Sequence, residues 1–149
     1  MATNYEEGSN MKALYFTGDS IVDSADIEVP SPGKGEVVLQ MKASGVCGSD
    51  LKNFRASKLE KAVLDDLKVP GHEPVGIVSE LGEGVTNVAV GDRIMMHHYT
   101  GCLQCSMCLI GYTQMCLVHH EVYGSTAHGG HQEYMLVPSY TCIPMPDEL

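Results

Sequence analysis

The 149-residue sequence lacks a long apolar run, a surplus of basic residues and a secretory leader. Its apolar runs are far too short to cross a bilayer, so no membrane span is predicted. Asp and Glu outnumber Lys and Arg by 19 to 9, and the net charge of -10 opposes binding to phosphate backbones and anionic lipid surfaces. These absences argue against nucleic acid and membrane as partners.

The first ten residues, MATNYEEGSN, are polar and acidic, whereas a secretory signal begins with basic residues and continues with apolar ones. They are predicted to form a disordered extension, residues 1–10, ahead of a single domain at residues 11–149. Without a secretory signal, the six cysteines are more typical of metal thiolates in a reducing compartment than of a disulfide scaffold. A cytoplasmic protein is therefore expected.

The apolar residues come in short runs separated by Gly, Pro and Asn, which is typical of a mainly β structure. Only residues 49–67 carry spaced apolar residues among charges, and one or two short helices are predicted there. Short strands with irregular connections favour a closed or partly open β-barrel, because closure removes exposed strand edges. The predicted strands are residues 11–17, 24–29, 36–44, 75–81, 93–96 and 134–138, with a further short one at 141–144.

Four of the six cysteines lie within fifteen residues, with gaps of two, two and seven residues: Cys102, Cys105, Cys108 and Cys116. Such spacing can place four thiolates around one ion, with no coordination position left for water or substrate. We therefore predict a structural zinc site that folds a cysteine lobe at about residues 101–121. Two alternatives stay open: an iron–sulfur cluster, which cysteine runs with two-residue gaps also bind, and four unrelated thiols.

Two other segments each place one good zinc ligand beside glycines: GVCGSD contains Cys47 and GHEPVG contains His72. Asp50 could accept a hydrogen bond from the free ring nitrogen of His72 and fix its tautomer. Glu73 precedes a proline, which favours an extended backbone and turns its side chain away from that of His72. Taken alone, these residues are weak indications, because a single Cys or His is more often structural.

The motifs GVCGSD, GHEPVG, GDR, the cysteine lobe and GGHQEYMLVP stand in an order that resembles the zinc-dependent medium-chain alcohol and polyol dehydrogenases. The resemblance spans residues 11–149 and implies the GroES-like β-barrel that is the zinc-binding catalytic domain of that family. It implies a structural zinc in the cysteine lobe and a catalytic zinc at Cys47 and His72. It further implies that Ser49 passes the substrate proton outward, that Glu73 lies close behind the metal, and that Asp50 supports the histidine.

The activity implied by this resemblance is the oxidation of a small-molecule alcohol to an aldehyde or ketone, with zinc as Lewis acid and NAD or NADP as hydride acceptor. Where other alcohol dehydrogenases extend the proton relay with a histidine, this sequence reads Leu51, Lys52 and Asn53. It also contains no GxGxxG turn, hence no Rossmann domain to bind the dinucleotide. The resemblance puts that domain and the third catalytic zinc ligand after Leu149, so we expect this polypeptide alone to be inactive.

A second interpretation is a stand-alone zinc-stabilised β-barrel that serves as a binding or assembly module without catalysis. The sequence leaves open the substrate, the choice between NAD and NADP, and whether copies associate into a homo-oligomer. Cys142 is expected to be a buried thiol, and His97 and His98 either line the substrate cleft or lie on a surface loop. Solvated or turn positions are expected for the remaining histidines outside these motifs, His119, His120, His128 and His131.

Overall fold

The computed structural model describes residues 8–60, 66–146 and 148. The mainly β fold with a few short helices is confirmed. The longer helix, α1, has 7 residues, and the described residues contain no helix with the length and apolar character needed to cross a membrane. The elements are β1 (Asn10–Gly18), β2 (Ile21–Glu28), β3 (Glu36–Ser44), α1 (Gly48–Phe54), β4 (Pro74–Leu81), β5 (Arg93–Met96), α2 (Ser106–Leu109), β6 (Tyr134–Pro138) and β7 (Cys142–Pro144), with 3₁₀ turns at Thr113–Met115 and Ser139–Thr141.

Two antiparallel sheets are joined into one hydrogen-bonded surface. β1 and β2 form a hairpin, and the other strands form a five-stranded sheet in the order β6-β3-β4-β5-β7. The hairpin meets the larger sheet just before β6, where the N–H of Leu14 donates to the carbonyl of His131 and that of Glu133 donates to Lys12. This link leaves fewer free edges than two separate sheets would have, as in a partly open barrel.

The hydrophobic core lies against the centre of the five-stranded sheet. Val37 and Leu39 of β3 are fully buried in one cluster with Val78, Ile94 and Met135. Residues two apart on a strand point to the same face, so β3 presents both side chains to this core. The core thereby fixes β3 and β4, the two strands that lead to the glycine-flanked segments with Cys47 and His72.

The register of β3 and β4 brings those two segments together. The strands are antiparallel, and Ser44 at the end of β3 lies opposite Pro74 at the start of β4. Cys47 shortly follows Ser44 in the chain, and His72 shortly precedes Pro74. Both residues therefore emerge at the same end of the sheet, although many residues separate them in the sequence.

Several predicted elements differ from the structure, most of them by one residue at an end. β1 begins at Asn10, inside the range predicted as a disordered extension, and the carbonyl of Ser9 accepts a hydrogen bond from the N–H of Val29. β2 begins at Ile21 rather than residue 24. The sequence did not show this start, because the side chains of β2 are mostly exposed and give no alternating pattern. In the region predicted to hold up to two helices, only α1 is described, and residues 61–65, like residues 1–7, lie outside the described residues.

The placement of the core predicts that Leu39→Ala lowers the free energy of unfolding by about 2–5 kcal/mol, because it opens a cavity in a fully buried cluster. Leu14→Ala removes the same atoms from a β1 side chain that is 44% exposed, and should cost about 0.5 kcal/mol or less. Urea unfolding followed by circular dichroism measures both. Equal losses in the two variants would contradict this core.

Candidate metal centres

The four cysteines of the cysteine lobe converge on one point. Their sulfur atoms all lie within 4.8 Å of one another, and the Sγ atoms of Cys105 and Cys116 are 3.9 Å apart. A tetrahedral zinc ion with Zn–S bonds of about 2.3 Å would separate its sulfur ligands by about 3.8 Å. All four are free thiols, so the structure contains a four-thiol cluster rather than disulfides.

Backbone N–H groups point at the sulfurs of this cluster. Cys102 and His119 each donate to Sγ of Cys116 at 3.4 Å, and Leu117 donates to Sγ of Cys105 at 3.5 Å. Hydrogen bonds of this kind stabilise the thiolate, which is the form that binds a metal. The N–H of Cys102 is the main cause that lowers the pKa of Cys116 to about 6, and that of Leu117 lowers the pKa of Cys105.

Cys108 is the least accessible thiol of the cluster. It is 8% exposed, and burial raises its pKa to about 12. A Cβ atom on Gly101 would lie 2.7 Å from its sulfur, so glycine at this position leaves room for the thiol. A cation at the centre would offset the mutual repulsion of four thiolates, and the donor set therefore fits a bound metal ion.

The second group forms at the end of β3 and β4, where Cys47 and His72 meet. Sγ of Cys47 lies 3.2 Å from Nε2 of His72 and 3.1 Å from Oγ of Ser49, and that hydroxyl is 3.5 Å from the same Nε2. A tetrahedral zinc ion would hold a sulfur and a nitrogen ligand about 3.6 Å apart. A thiolate and an imidazole at this separation fit zinc as a pair of ligands, and they leave its other positions open.

Asp50 contacts both members of that pair. It is 4% exposed, its Oδ2 accepts a hydrogen bond from the N–H of Cys47 at 2.8 Å, and its Oδ1 lies 3.6 Å from Nδ1 of His72. The first contact is local, because Cys47 is the N-cap of α1 and Asp50 occupies the third helical position of a capping box. The carboxylate thus faces one ring nitrogen while the other nitrogen faces the thiol.

Glu73 lies outside the close group formed by Cys47, Asp50 and His72 in the described part of the chain. Its carbonyl accepts a hydrogen bond from the N–H of Gly45 at 3.0 Å, and its side chain fills the space that a Cβ atom at Gly45 would need. With His72 it lines an apolar cleft of about 370 Å³. The carboxylate is therefore a neighbour of this site rather than a member of its donor set.

The two histidines that follow β5 line one cleft with His72 but differ in their other contacts. The ring of His98 lies beside that of His72, with centroids 5.3 Å apart, and burial is the main cause that lowers the pKa of His98. His97 faces the cysteine lobe, and its Nε2 is 3.3 Å from Oγ1 of Thr113. The sequence left open whether these histidines line the cleft or lie on a surface loop, because no apolar alternation continues past Met96.

The segment before His72 is held by a second stretch of backbone. Three N–H groups donate to three successive carbonyls: Gly129 to Val69 at 2.7 Å, His131 to Pro70 at 3.0 Å and Gly130 to Gly71 at 2.7 Å. A Cβ atom on Gly129 would clash with the carbonyl oxygen of Gly71 and lie 2.7 Å from Cα of Gly124. We call the contact of Gly71, Gly124 and Gly129 the glycine clamp. Only residues without a side chain allow so close an approach.

His128 is exposed, as expected, whereas His131 is not a solvated residue. Nδ1 of His128 accepts a hydrogen bond from the N–H of Val69 at 3.2 Å, and Nε2 of His131 is buried without a hydrogen-bond partner in the described residues. Burial lowers the pKa of both imidazoles. The ring of His131 packs beside Gly71 of the glycine clamp, which forms between distant segments and leaves no periodic pattern in the sequence.

The sequence profile of the alcohol dehydrogenase GroES-like domain matches residues 33–147. The chain belongs to this family. Within this family it is 35% identical over 145 residues to an uncharacterized zinc-type alcohol dehydrogenase-like protein of Escherichia coli K12. That match covers 93% of this chain and 41% of the E. coli protein. It is 30% identical over 145 residues to L-idonate 5-dehydrogenase of Vitis vinifera, in a match that covers 97% of this chain and 39% of the Vitis protein.

A solved alcohol dehydrogenase from E. coli CFT073, complexed with the cofactor NADH, has the same fold with a TM-score of 0.79. The two are 31% identical, and the match covers 95% of this chain and 40% of that one. The resemblance to zinc-dependent alcohol and polyol dehydrogenases and the GroES-like fold are thereby confirmed. The chain spans about two fifths of the length of these relatives.

The glycine clamp predicts that Gly129→Ala lowers the free energy of unfolding by about 1–3 kcal/mol and speeds hydrogen exchange at the clamp amides, because the new methyl group displaces the backbone of Gly71. Gly33→Ala is the matched control, since its methyl group would meet only the flexible end of Glu36, 2.9 Å away. Urea unfolding and amide exchange by NMR measure the two effects. Equal stability of the variants would refute the clamp.

Proposed function

We propose that this chain is the zinc-binding catalytic part of an NAD(P)-dependent alcohol or polyol dehydrogenase. The observation that carries the proposal is the 3.2 Å approach of Cys47 Sγ to His72 Nε2, with the hydroxyl of Ser49 alongside. Two relatives support the metal and the substrate class by their names, zinc-type alcohol dehydrogenase-like protein and L-idonate 5-dehydrogenase. The NADH in the related solved structure supports a nicotinamide cofactor.

Two zinc ions have different tasks in this proposal. The cysteine lobe would hold one inside a complete set of four thiolates, where its binding energy stabilises the fold. Cys47 and His72 would hold the other, with open positions that a substrate can reach. When bound there, zinc supplies Lewis-acid chemistry that favours loss of the proton from an alcohol.

The side chains around the open pair orient the ligand and move the proton. Asp50 holds the ring of His72 through the contact with Nδ1, so that Nε2 stays directed at the metal position. Ser49 Oγ lies beside both ligands and carries the substrate proton outward, since a hydroxyl donates and accepts at once. Ser49, His72 and His98 line a cleft of about 260 Å³, which binds the small alcohol. Glu73 lines the neighbouring apolar cleft together with His72.

The two roles predict opposite results for two cysteine variants. Cys102→Ser should release one zinc and unfold residues 101–121, because a structural zinc in zinc-finger peptides contributes about 10–16 kcal/mol to folding. Cys47→Ser should also release one zinc but leave the midpoint of thermal unfolding nearly unchanged. Zinc analysis and limited proteolysis of the lobe measure this. If Cys47→Ser unfolded the protein while Cys102→Ser left residues 101–121 folded, the two roles would have to be exchanged.

The 149-residue polypeptide by itself should show no NAD(P)-dependent alcohol oxidation, because it has no GxGxxG turn to bind the pyrophosphate. The measurement is NADH or NADPH formation by the purified, zinc-loaded chain with a panel of alcohols and polyols. Robust turnover would show that the cofactor binds within these residues. The same preparation should contain zinc at both sites, whereas zinc in the cysteine lobe alone would favour a binding or assembly module.

A further inference from the structure

The cleft beside Cys47 and His72 contains an unpaired cation. Lys52 and Asn53 line the same cleft of about 260 Å³ as Ser49 and Ser125. Lys52 is exposed, and its ammonium group makes no salt bridge or hydrogen bond with the described part of the chain. Other lysines of this acidic chain do have partners, such as Lys12 with Asp26 at 2.7 Å. The cleft thus offers a positive charge that no neighbour neutralises.

The helix that carries Ser49 also sets the position of Lys52. Both belong to α1, Gly48–Phe54, and residues three apart on a helix share a face. One turn of helix rises about 5.4 Å, so the ammonium lies roughly one turn or more from the Ser49 hydroxyl, depending on how its long stem extends. A substituent a few carbon atoms away from the reacting hydroxyl would therefore meet Lys52.

The chemistry of Lys52 suits an anion rather than a proton relay. A lysine ammonium has three donors and no acceptor, so it cannot take over the proton that Ser49 carries. The acidic group in this cleft, Asp50, is buried and already contacts Cys47 and His72, which leaves Lys52 uncompensated. The side chains of Asn53 and Ser125 add neutral hydrogen-bond donors that have no partner in the described residues.

We propose that Lys52 binds the anionic group, phosphate or carboxylate, of a polyhydroxylated alcohol whose reacting hydroxyl lies at Cys47 and His72. This inference rests on the proposed function, because it assumes that the alcohol binds at that pair. It assigns a substrate class, anionic polyols, in preference to neutral sugars and simple alcohols. The neighbouring donors of Asn53 and Ser125 complete the recognition of the anion.

Calorimetric titration of the zinc-loaded chain with sorbitol, sorbitol 6-phosphate and gluconate tests the assignment. The wild-type chain should bind at least one anionic probe about threefold to tenfold more tightly than sorbitol, and the tighter of the two identifies the group as phosphate or carboxylate. Lys52→Gln should abolish that preference and leave the affinity for sorbitol unchanged. Lys42→Gln, the same change in charge at an exposed β3 residue outside this cleft, should keep the preference.

Each other result overturns the inference in a recognisable way. A wild-type chain that binds sorbitol and both anions equally has no anion subsite, although its polyol site stands. A preference that survives Lys52→Gln belongs to another residue, and one that is also lost in Lys42→Gln reflects net charge alone. Failure of all three probes to bind a chain that holds zinc at Cys47 and His72 would overturn the inference alone. Failure of binding together with no zinc at this pair would overturn the inference and the proposed function.

Discussion

The antiparallel pairing of β3 with β4 is the constraint on which the candidate catalytic site depends. Because Ser44 lies opposite Pro74, the segments beyond these residues leave the sheet at the same end and bring Cys47 to His72. A shift of register by one residue would turn Val37 and Leu39 away from the core, so hydrophobic burial fixes the pairing. The energy that stabilises the fold thus also sets the separation of two candidate ligands that are distant in sequence.

The two candidate metal centres depend on this framework to different degrees. The cysteine lobe has its ligands close together in sequence, and backbone N–H groups from the same stretch already favour its thiolates. The open pair needs β3, β4, the capping box at Asp50 and the glycine clamp to be in place first. This difference fits a lobe whose ion contributes to folding and a second ion that is held by an already folded barrel.

The sequence predicted the strands and the cysteine cluster that depend on local patterns of residues. The bounds of β3, β5 and β6 agree with the predicted strands at 36–44, 93–96 and 134–138, since their apolar residues are buried in a regular way. The clustering of the four cysteines also followed from spacing. The meeting of Cys47 with His72 required the resemblance to a family, because strand pairing is not visible in composition. The glycine clamp and the inward position of His131 were not predicted, because contacts between distant backbone segments leave no periodic signal.

The central claim is that one ion is enclosed by sulfur and a second is bound by one thiolate and one imidazole. Zinc analysis combined with zinc K-edge X-ray absorption of the purified chain tests it most directly. The account predicts two zinc ions per chain, with about 2.5 sulfur ligands per zinc on average and scattering from an imidazole ring. A single zinc with four sulfur ligands and no imidazole, or iron in place of zinc, would contradict it.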